Sequence, residues 1–451
     1  MLFVCDVDYH AVQPLGSDHV SIETRLSSIS NQIELPPAAD EAVRIVARLQ
    51  EAGFTAYLAG GCVRDALLGK EPKDYDVATN AAPDTVRQIF GKSKTLAFGV
   101  SFGVIGVLPE RRGRNQGQAT EVATFRSDGS YSDGRRPDSV RFGDPEEDAL
   151  RRDFTINGLF YDPIERRVID FVGGQIDLSN GLLRTIGRAD DRFNEDRLRM
   201  LRAIRFSATL GFQIDPDTEA AIGQHAEAIT VVSGERIGAE MRRVLLAPHL
   251  LDGLRSLIRT NLAETVLPDL PTLDFDTLAA RLAFCREDDF RFPLAVILAT
   301  AEKSMQSLRL LAKSWRLANE EVRSLRSSLE SHATVLGFAD SPWSKTQPVM
   351  IDRDIEFIMN LANCLAASEP ESDLKKRFLW SLEKAEQVLH WPEERLNPQP
   401  LIGGDDLRSL GFEPGPMYAR VLQEIRDAQL NGNLHTKEDA TAWAIRKFRK
   451  D

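Results

Sequence analysis

Two aspartates separated by one residue are the first chemical feature of the chain. Asp74 and Asp76 occupy positions i and i+2 of an apparent strand, whose repeat of two aims both carboxylates at one face. Two like charges held this close are costly unless a cation lies between them or one takes up a proton. Mg²⁺ prefers oxygen ligands, so the pair is a candidate magnesium site. The alternative is an exposed loop that carries two acids by chance.

A glycine pair and a further acid surround this motif in the sequence. Gly60-Gly61 ends an apolar run and leads into a helix that carries Arg64, which allows the backbone to approach a phosphate. A plain tight turn is the alternative for the glycines. Glu121 opens the later segment TEVATFR, where it either completes a set of three carboxylates or is an exposed acid at a strand end.

The hydrophobic pattern predicts the elements that must position these residues. A helical repeat begins after Pro36-Pro37 and stops at Gly53, and the run Thr55–Ala59 is typical of a strand. A second strand carries the two aspartates, and the segments SFGVIGVL and TEVATFR predict a hairpin around the polar loop PERRGRNQGQA. From Phe193 onward the repeat is helical nearly to the end. The pattern therefore predicts a mixed α/β head followed by helices.

Composition limits the class of protein. The 451 residues carry a formal charge of −12 and are 42% hydrophobic, which indicates globular domains rather than wholesale disorder. No apolar stretch is long enough for a membrane helix, and the N-terminus lacks the features of a secretory signal. The four cysteines and seven histidines are scattered, which predicts neither disulfides nor a zinc site. We therefore expect a cytoplasmic protein without a membrane partner.

The charge distribution is less unfavourable to RNA than the net charge. An acidic chain generally disfavours phosphate binding, but 18 arginines balance 18 acids between Leu108 and Leu210. No lysine occurs between Thr95 and Glu302, so every fixed cation there is an arginine, which suits phosphates and base edges. A GC-rich genome explains the missing lysines equally well.

Several ordered motifs resemble one enzyme family. GGCVRDALLG, DYDVAT, EVATFRSDGSYSDGRRPDSVRFG, EDALRRDFTINGLFYD and RFNEDRLRMLRAIRFSATLGF together are similar to the class II tRNA nucleotidyltransferases (CCA-adding enzymes) and bacterial poly(A) polymerases. The resemblance spans roughly residues 55 to 212. It implies an α+β protein, with a polymerase-beta-like nucleotidyltransferase head followed by an all-α neck, body and tail.

The resemblance also implies a domain organisation and a reaction. The expected parts are an N-terminal extension (1–35), a catalytic head (36–188), a neck that binds the base and RNA (189–250), a body (251–390) and an RNA-binding tail (391–451). The expected reaction adds CCA to the 3′ end of tRNA from CTP and ATP with Mg²⁺, and releases pyrophosphate. Poly(A) addition to other RNA 3′ ends, CC-only or A-only addition, and a catalytically silent RNA-binding protein are the alternatives. DNA is not an expected partner.

Site roles follow from the resemblance, residue by residue. Asp74 and Asp76 would hold two Mg²⁺ ions, with Glu121 as a further catalytic carboxylate. Phosphate and ribose contacts are implied for Gly60, Gly61, Arg64, Arg152 and Asn157. Asp153 would orient an arginine or the sugar, and its alternative is an internal ion pair with Arg151 or Arg152.

The segment Glu195-Asp196-Arg197-Leu198-Arg199 is implied to select the base. In a helix, Asp196 and Arg199 would be i and i+3 neighbours on one face. An acceptor beside a donor matches the amine and ring nitrogen of cytosine and adenine, whereas guanine and uracil present the reverse order. Glu195 and Arg202 would support this pair. The alternative is an ordinary surface salt bridge.

A glycine- and serine-rich segment, DGSYSDGRRPDSVRFG, predicts a flexible loop. The resemblance implies that this region switches the site from C to A addition, with Asp133, Arg135 and Arg136 as candidates. A simple solvated loop is the alternative for each of them.

Overall fold

The computed structural model of the chain describes residues 33–99, 103–109, 119–129, 139–285, 288–413 and 415–448. The chain divides into two compact units. The head unit comprises Met1–Arg199 and Phe212–Ala221, and the helical unit comprises Met200–Gly211 and Ile222–Asp451. The boundary therefore falls inside the predicted neck, and the finer division into five parts stays a prediction.

A seven-stranded sheet forms the centre of the head unit. The strands of the described chain are β1 (Ala56–Ala59), β2 (Asp76–Thr79), β3 (Thr95–Gly99), β4 (Val104–Val107), β5 (Thr120–Thr124), β6 (Arg126–Asp128), β7 (Val140–Phe142), β8 (Leu159–Asp162), β9 (Arg167–Asp170), β10 (Leu182–Leu183) and β11 (Gln213–Ile214). The large sheet has the order β3-β4-β5-β2-β1-β8-β9. Its β2–β5 pair is parallel and its other pairs are antiparallel. The predicted hairpin is the β4–β5 pair.

Short helices cover the sheet. The helices up to the end of the head unit are α1 (Asp40–Glu51), α2 (Gly61–Leu67), α3 (Pro83–Phe90), α4 (Pro145–Leu150), α5 (Gly174–Ser179), α6 (Ala189–Glu195), α7 (Leu198–Leu210) and α8 (Pro216–His225), of which the last two cross the unit boundary. Helix α1 buries Ala42, Ile45, Val46 and Leu49, the spacing that the helical repeat predicts. It ends before Gly53, whose φ of +86° suits glycine.

The register of the central strands separates the two faces of the sheet. Leu58 pairs with Val77 and Val77 with Val122, so these buried side chains share one face. The other face carries a small core of Ala59, Ala78, Phe125, Phe160 and, from α4, Ala149. This second face positions the site, because Asp76 pairs with Ala59.

The helical unit continues the repeat that the sequence predicts. Its remaining helices are α9 (Gly234–Leu245), α10 (Leu250–Arg259), α11 (Ala263–Val266), α12 (Phe275–Leu282), α13 (Arg291–Thr300), α14 (Ser304–Ser314), α15 (Asn319–Leu336), α16 (Trp343–Met350), α17 (Ile355–Ser368), α18 (Asp373–Leu389), α19 (Glu393–Leu396), α20 (Gly404–Ser409), α21 (Pro416–Leu430) and α22 (Lys437–Phe448). Trp315 is fully buried and donates its indole N–H to the carbonyl of Val266 at 2.9 Å. The last helices share a core of their own around Leu407 and Val421.

The predicted fold class is confirmed: a mixed α/β head precedes a helical remainder. One short strand, β11, interrupts the helical pattern and pairs in parallel with β10. Among the described residues, no helix combines the length and the apolar character needed to cross a membrane.

Candidate active site

The start of β2 fixes one carboxylate beside the glycine turn. Asp76 is the first residue of the strand and pairs with Ala59, the residue directly before Gly60. The prediction that Asp74 lies in the same strand is wrong, because β2 begins two residues later. Continuing the register backwards would pair Asp74 with Gly61, which already belongs to α2. Asp74 therefore has no strand partner there and precedes the sheet.

Three carboxylates influence one another at this end of the sheet, which we call the carboxylate edge (Asp74, Asp76 and Glu121). Protein atoms around the Asp76 carboxylate, followed by the charges of Asp74 and Glu121, raise the pKa of Asp76 to about 6. Its side chain nevertheless remains open to solvent. Arg152 acts in the opposite direction and lowers the pKa. Glu121 precedes Val122 on β5 as Asp76 precedes Val77 on β2, and the parallel pairing of the valines sets the acids on one face.

The carboxylate edge has the donor chemistry of a hard divalent cation. Carboxylate oxygens in mutual repulsion gain from a cation between them. Burial, followed by repulsion from Asp74 and Glu121, raises the pKa of Asp76. Among the described residues no three acidic, histidine or cysteine side chains converge as a ready-made cage. Mg²⁺ commonly uses only one or two protein carboxylates and completes its ligands with phosphates and water. The residues present therefore fit a cation shared with a phosphorylated substrate.

The glycine turn leaves room for an arginine. Gly60 has a φ of +75°, a backbone region in which glycine is favoured, and its N–H donates to the carbonyl of Leu159 at 2.9 Å. A Cβ atom added at Gly60 would lie 2.7 Å from Nη1 of Arg152. The turn between β1 and α2 is thus the place where the Arg152 guanidinium reaches the backbone.

Behind the turn, an asparagine connects two parts of the RRDFTIN motif to α2. Arg64 Nη1 donates to Asn157 Oδ1 at 2.6 Å, and the Arg64 side chain also pairs with Asp65 at 2.7 Å. Asn157 Nδ2 donates to Asp153 Oδ1 at 2.9 Å, and the same oxygen accepts the N–H of Phe154. Asp153 thus orients Asn157, a partner that the sequence interpretation did not name.

Arg152 is held by an acid that sequence reasoning missed. Its guanidinium lies 4.9 Å from the centre of the Phe160 ring, its Nη1 donates to the carbonyl of Asn157, and its Nη2 pairs with Asp148 at 2.9 Å. Arg151 pairs with the other oxygen of the same carboxylate at 2.7 Å. Arg151 and Arg152, the arginines considered as partners of Asp153, thus both pair with Asp148. The spacing of i to i+3 and i+4 within EDALRR was the available signal for Asp148.

These groups form one connected set, which we call the arginine cluster. Its members are Arg64, Asp148, Arg151, Arg152, Asp153 and Asn157. Strand β8 is the element that positions Asn157, since the short turn Thr155–Asn157 leads into it and Phe160 pairs with Ala59. The sequence pattern does not mark β8 as a strand, because all four of its residues are buried and show no alternation.

The EDxxR segment differs from its predicted geometry. Asp196 has an extended backbone, with φ −146° and ψ 108°, and lies in the break between α6 and α7. Its Oδ1 accepts the N–H of Leu198 at 3.0 Å, as a helix cap does. Asp196 and Arg199 are therefore not i and i+3 neighbours inside one helix, because the chain turns between them.

Glu195 holds two arginines at this break. It accepts from Nη1 of Arg199 and pairs with Nη1 of Arg192 at 3.2 Å. Arg199 also donates to the carbonyls of Arg192 and Arg151, both at 3.3 Å. The expectation that Glu195 fixes an arginine agrees with these contacts.

Arg202 and the loop candidates complete the set of predicted site residues. Arg202 belongs to the helical unit, where its guanidinium stands 5.4 Å from the centre of the Phe206 ring. The loop candidates Asp133, Arg135 and Arg136, and the predicted extension up to residue 32, lie outside the described residues. Cys62, inside the segment GGCVRDALLG, is buried, and burial raises the pKa of its thiol to about 11, so it remains a neutral thiol.

Comparison with known proteins places this geometry in context. The family model described as "Poly A polymerase head domain" matches residues 56–184, and "Probable RNA and SrmB- binding site of polymerase A" matches residues 211–273. The CCA-adding enzyme of Streptococcus sanguinis (strain SK36) is 33% identical over 407 residues, which cover 89% of this chain and 95% of that protein. The CCA-adding enzyme of Geobacillus kaustophilus (strain HTA426) is 33% identical over 435 residues, with 92% and 98% covered.

A solved structure agrees with these relatives. The crystal structure of the Bacillus stearothermophilus CCA-adding enzyme in complex with CTP matches with a TM-score of 0.66 and 30% identity. The match covers 92% of this chain and 98% of that one. The similarity therefore extends over both units and is not confined to the head.

Proposed function

The chain belongs to the CCA-adding enzyme family of nucleotidyltransferases, and on that premise we propose that it adds C and A nucleotides to the 3′ end of tRNA. CTP and ATP are the donors, and pyrophosphate is released. The observation that carries the proposal is the register of β1 and β2, since Asp76 stands beside the residue that precedes the Gly60-Gly61 turn. Carboxylates and phosphate-binding groups therefore meet at one end of the sheet.

Membership of this family implies a divalent metal ion, and we propose Mg²⁺ held by Asp74 and Asp76, with Glu121 as the third carboxylate. Such an ion, when bound, lowers the pKa of the attacking hydroxyl and neutralises charge on the triphosphate. The protein's own part is to keep the carboxylates ionised beside the Gly60 turn. Arg152 supports this, because its charge lowers the pKa of Asp76.

We assign the triphosphate to the arginine cluster and the glycine turn. Arg152 is held over the turn by contacts to Asn157 and Asp148, and Arg64 is held by Asn157 from the other side. A guanidinium that is already oriented loses little conformational freedom when it binds a phosphate. Gly60 and Gly61 let the backbone approach the same group.

We assign base selection to Asp196 and Arg199. Three of the five N–H groups of Arg199 point at Glu195, the carbonyl of Arg192 and the carbonyl of Arg151. The others are available to the ring nitrogen of cytosine or adenine, and Asp196 accepts the exocyclic amine. Glu195 keeps Arg199 in place. A base with the reverse donor order would set its carbonyl against the Asp196 carboxylate and its ring N–H against Arg199, which is unfavourable.

The partner under this proposal is a tRNA, bound by the helical unit, and the location is the cytoplasm, where tRNA matures. The name of the matched relatives supports the tRNA, and the model matched at residues 211–273 supports RNA contact there. An acidic chain fits a partner that is recognised largely by shape rather than by charge alone.

One assay tests the proposal. Purified protein is given tRNA transcripts that end before the first C, after the second C or after the full CCA, plus an unstructured RNA, with each labelled nucleotide in turn. We expect completion of CCA on the incomplete tRNAs and no extension of the complete one. Completion restricted to CC or to the final A would replace full CCA addition by a partial activity.

Poly(A) addition is the second candidate, because the head model that matches residues 56–184 is described as that of a poly A polymerase. Long A tails on the unstructured RNA would favour it. Absence of any incorporation, together with retained RNA binding, would instead indicate a silent RNA-binding protein.

Base selection has its own test. Asp196→Ala removes the acceptor, so we expect the preference for C and A over G and U to fall about tenfold or more. The affinity for the triphosphate should change less, because the arginine cluster is untouched. Competition between labelled nucleotides measures the first quantity, and inhibition by pyrophosphate or a non-hydrolysable triphosphate measures the second. Unchanged discrimination would contradict the template role.

A further inference from the structure

We propose that Asp148 is a positioning residue of the nucleotide site. It aligns Arg152, at the Gly60 turn that receives the triphosphate, with Arg199, which reads the base. The inference rests on the proposed function and deepens it. Under this proposal, Asp148 contacts neither the triphosphate nor the base of the nucleotide, and it acts through Arg151 and Arg152.

The carboxylate of Asp148 binds two guanidinium groups at once. Its Oδ1 accepts from Nε and Nη2 of Arg151 at 2.9 and 2.7 Å, and its Oδ2 accepts from Nε and Nη2 of Arg152 at 3.2 and 2.9 Å. Only 1% of the residue is exposed. Each arginine donates two N–H groups to this one buried carboxylate. Two hydrogen bonds per guanidinium fix its orientation, whereas a single hydrogen bond would not.

The charge balance leaves the pair of arginines attractive to a phosphate. Burial alone would raise the pKa of Asp148, but the charges of Arg152 and Arg151 more than offset it and hold the pKa below its ordinary value. The acid therefore stays ionised, and one negative charge stands between two positive ones. The three groups carry a net positive charge beside Gly60, where Arg152 meets the turn.

The backbone around Asp148 reaches the base-reading residues. The carbonyl of Arg151 accepts from Nη2 of Arg199 at 3.3 Å, and the carbonyl of Leu150 accepts from Nη1 of Arg192 at 3.3 Å. Both carbonyls lie at the C-terminal end of α4, within three residues of Asp148. Since Arg192 and Arg199 share Glu195, the end of α4 connects them to the arginine cluster.

A backbone contact anchors Asp148 in turn. Its Oδ1 accepts the N–H of Arg126, the first residue of β6, at 3.3 Å. The carboxylate is therefore fixed to the start of β6, in the two-stranded β6–β7 sheet, as well as to the two arginines. A shift of this carboxylate would move the Arg152 side chain at the Gly60 turn. It would also move Arg151, whose backbone carbonyl accepts the hydrogen bond from Arg199.

The test uses two variants and a matched control on the same helix. Asp148→Asn removes the charge, and Asp148→Glu keeps the charge but displaces it by one methylene. Glu147→Gln is the control, because Glu147 is the preceding residue of α4 and also pairs with an arginine, the exposed Arg141. For each protein, kcat and KM for CTP and ATP, the preference for C and A over G and U, tRNA affinity and the melting temperature are measured.

We expect Asp148→Asn to raise KM for both nucleotides by about tenfold or more and to lower the base preference several-fold, because both arginines lose their common anchor. Asp148→Glu should show a smaller change in the same two quantities. The tRNA affinity of both variants, and every quantity for Glu147→Gln, should stay within about twofold of the parent enzyme.

The outcomes separate the inference from the function on which it rests. A parent enzyme that adds no C or A to tRNA refutes the proposed function. If the parent is active and the folded Asp148 variants keep KM and base preference, Asp148 does not position the site. If Asp148→Asn does not fold, Asp148→Glu decides by the same measurements. Loss of folding in both would make the residue structural and would overturn the inference.

Discussion

The carboxylate edge and the arginine cluster lie next to each other in the head, yet they treat charge in opposite ways. In the arginine cluster, groups of opposite sign are hydrogen-bonded to one another, as the buried Asp148 is to the half-buried Arg151 and Arg152. At the carboxylate edge, acids face acids, and burial together with this repulsion raises the pKa of Asp76. The first region pairs its charges within the protein and keeps a net positive charge on Asp148, Arg151 and Arg152. The second region is left with excess negative charge.

The difference indicates which ligand each region is suited to bind. A set of arginines that is already oriented can receive a phosphate without reorganising, which is favourable for stabilising charge during reaction. A set of carboxylates in mutual repulsion becomes favourable only when a cation arrives. Arg152 links the two regions electrostatically, because it is held by the cluster and its charge lowers the pKa of Asp76. Metal and triphosphate are therefore expected to stabilise each other's binding.

The largest expected effect comes from removing a carboxylate from the carboxylate edge. Asp76→Ala should reduce the rate of nucleotide incorporation by about a thousandfold or more, because the cation loses a ligand. Incorporation of labelled CTP into tRNA lacking CCA measures the rate. Folding and tRNA affinity should persist, since the substitution removes repulsion and leaves the helical unit unchanged.

Glu165→Ala provides the matched control for this variant. Glu165 is an exposed acid of the same unit, between β8 and β9, and its loss should leave the rate within about twofold. Near-normal tailing by Asp76→Ala would refute the metal role of the carboxylate edge.

A smaller effect on nucleotide incorporation is expected when a side-chain atom is added at Gly60, next to the arginine cluster. Gly60→Ala places a Cβ atom where Arg152 now lies and strains a backbone with positive φ. We expect KM for both nucleotides to rise about tenfold and stability to fall by roughly 1–2 kcal/mol. Steady-state kinetics and thermal unfolding measure the two effects.

Gly69→Ala is the control that separates backbone strain from the steric contact with Arg152. Gly69 follows the same helix, α2, and has a φ of +67°, but a Cβ atom there meets nothing within 4 Å. It should lose comparable stability, roughly 1 kcal/mol, with KM unchanged. Equal KM values for the two alanine variants would mean that the close approach of Arg152 to the turn is irrelevant to nucleotide binding.

The smallest expected effect concerns stability and pH. The pKa of Asp76 is about 6 in the folded chain and 3.8 ordinarily, so the folded state binds the proton more tightly. Its ionised form destabilises the fold above pH 6, and this penalty fades as pH falls through 6 and is gone below 3.8. Asp76→Asn should therefore stabilise the metal-free protein at pH 7.5, by no more than about 1 kcal/mol after solvent screening.

Thermal unfolding in a chelator measures this difference, and a gain of about 2–4 °C is expected at pH 7.5. The gain should be largely lost at pH 4.5. A divalent cation should stabilise the parent at pH 7.5 more than it stabilises Asp76→Asn. A gain that is independent of pH would show that repulsion at the carboxylate edge is not its source.

Much of the head could be predicted from local pattern. The helix that stops at Gly53, the strand before Gly60-Gly61 and the β4–β5 hairpin were all predicted, because apolar repeats and glycine signals act within a few residues. Strand β8 was not predicted, although it lies beside β1 in the middle of the sheet. Its four residues are buried on both faces, so no alternation marks it.

The candidate site divides in the same way. Residue types and spacing identified the aspartates, the glycines and Arg64 as candidates, and the family resemblance added Arg152 and Asn157. The break at Asp196 was not predicted, because a helical repeat continues in sequence across the place where the side chain of Asp196 caps a new helix. The role of Asp148 as common partner of two arginines also went unseen.

By itself, the sequence determined which chemical groups the protein possesses and which local elements carry them, since helix and strand periods, turns and caps depend on neighbouring residues. Only the tertiary structure decided which groups meet. Asp76 stands beside the Gly60 turn because two strands pair in one register, and one buried acid holds two arginines because α4 packs against the sheet. Such encounters depend on pairing and packing between distant segments, and the spacing of residues along the chain does not specify them.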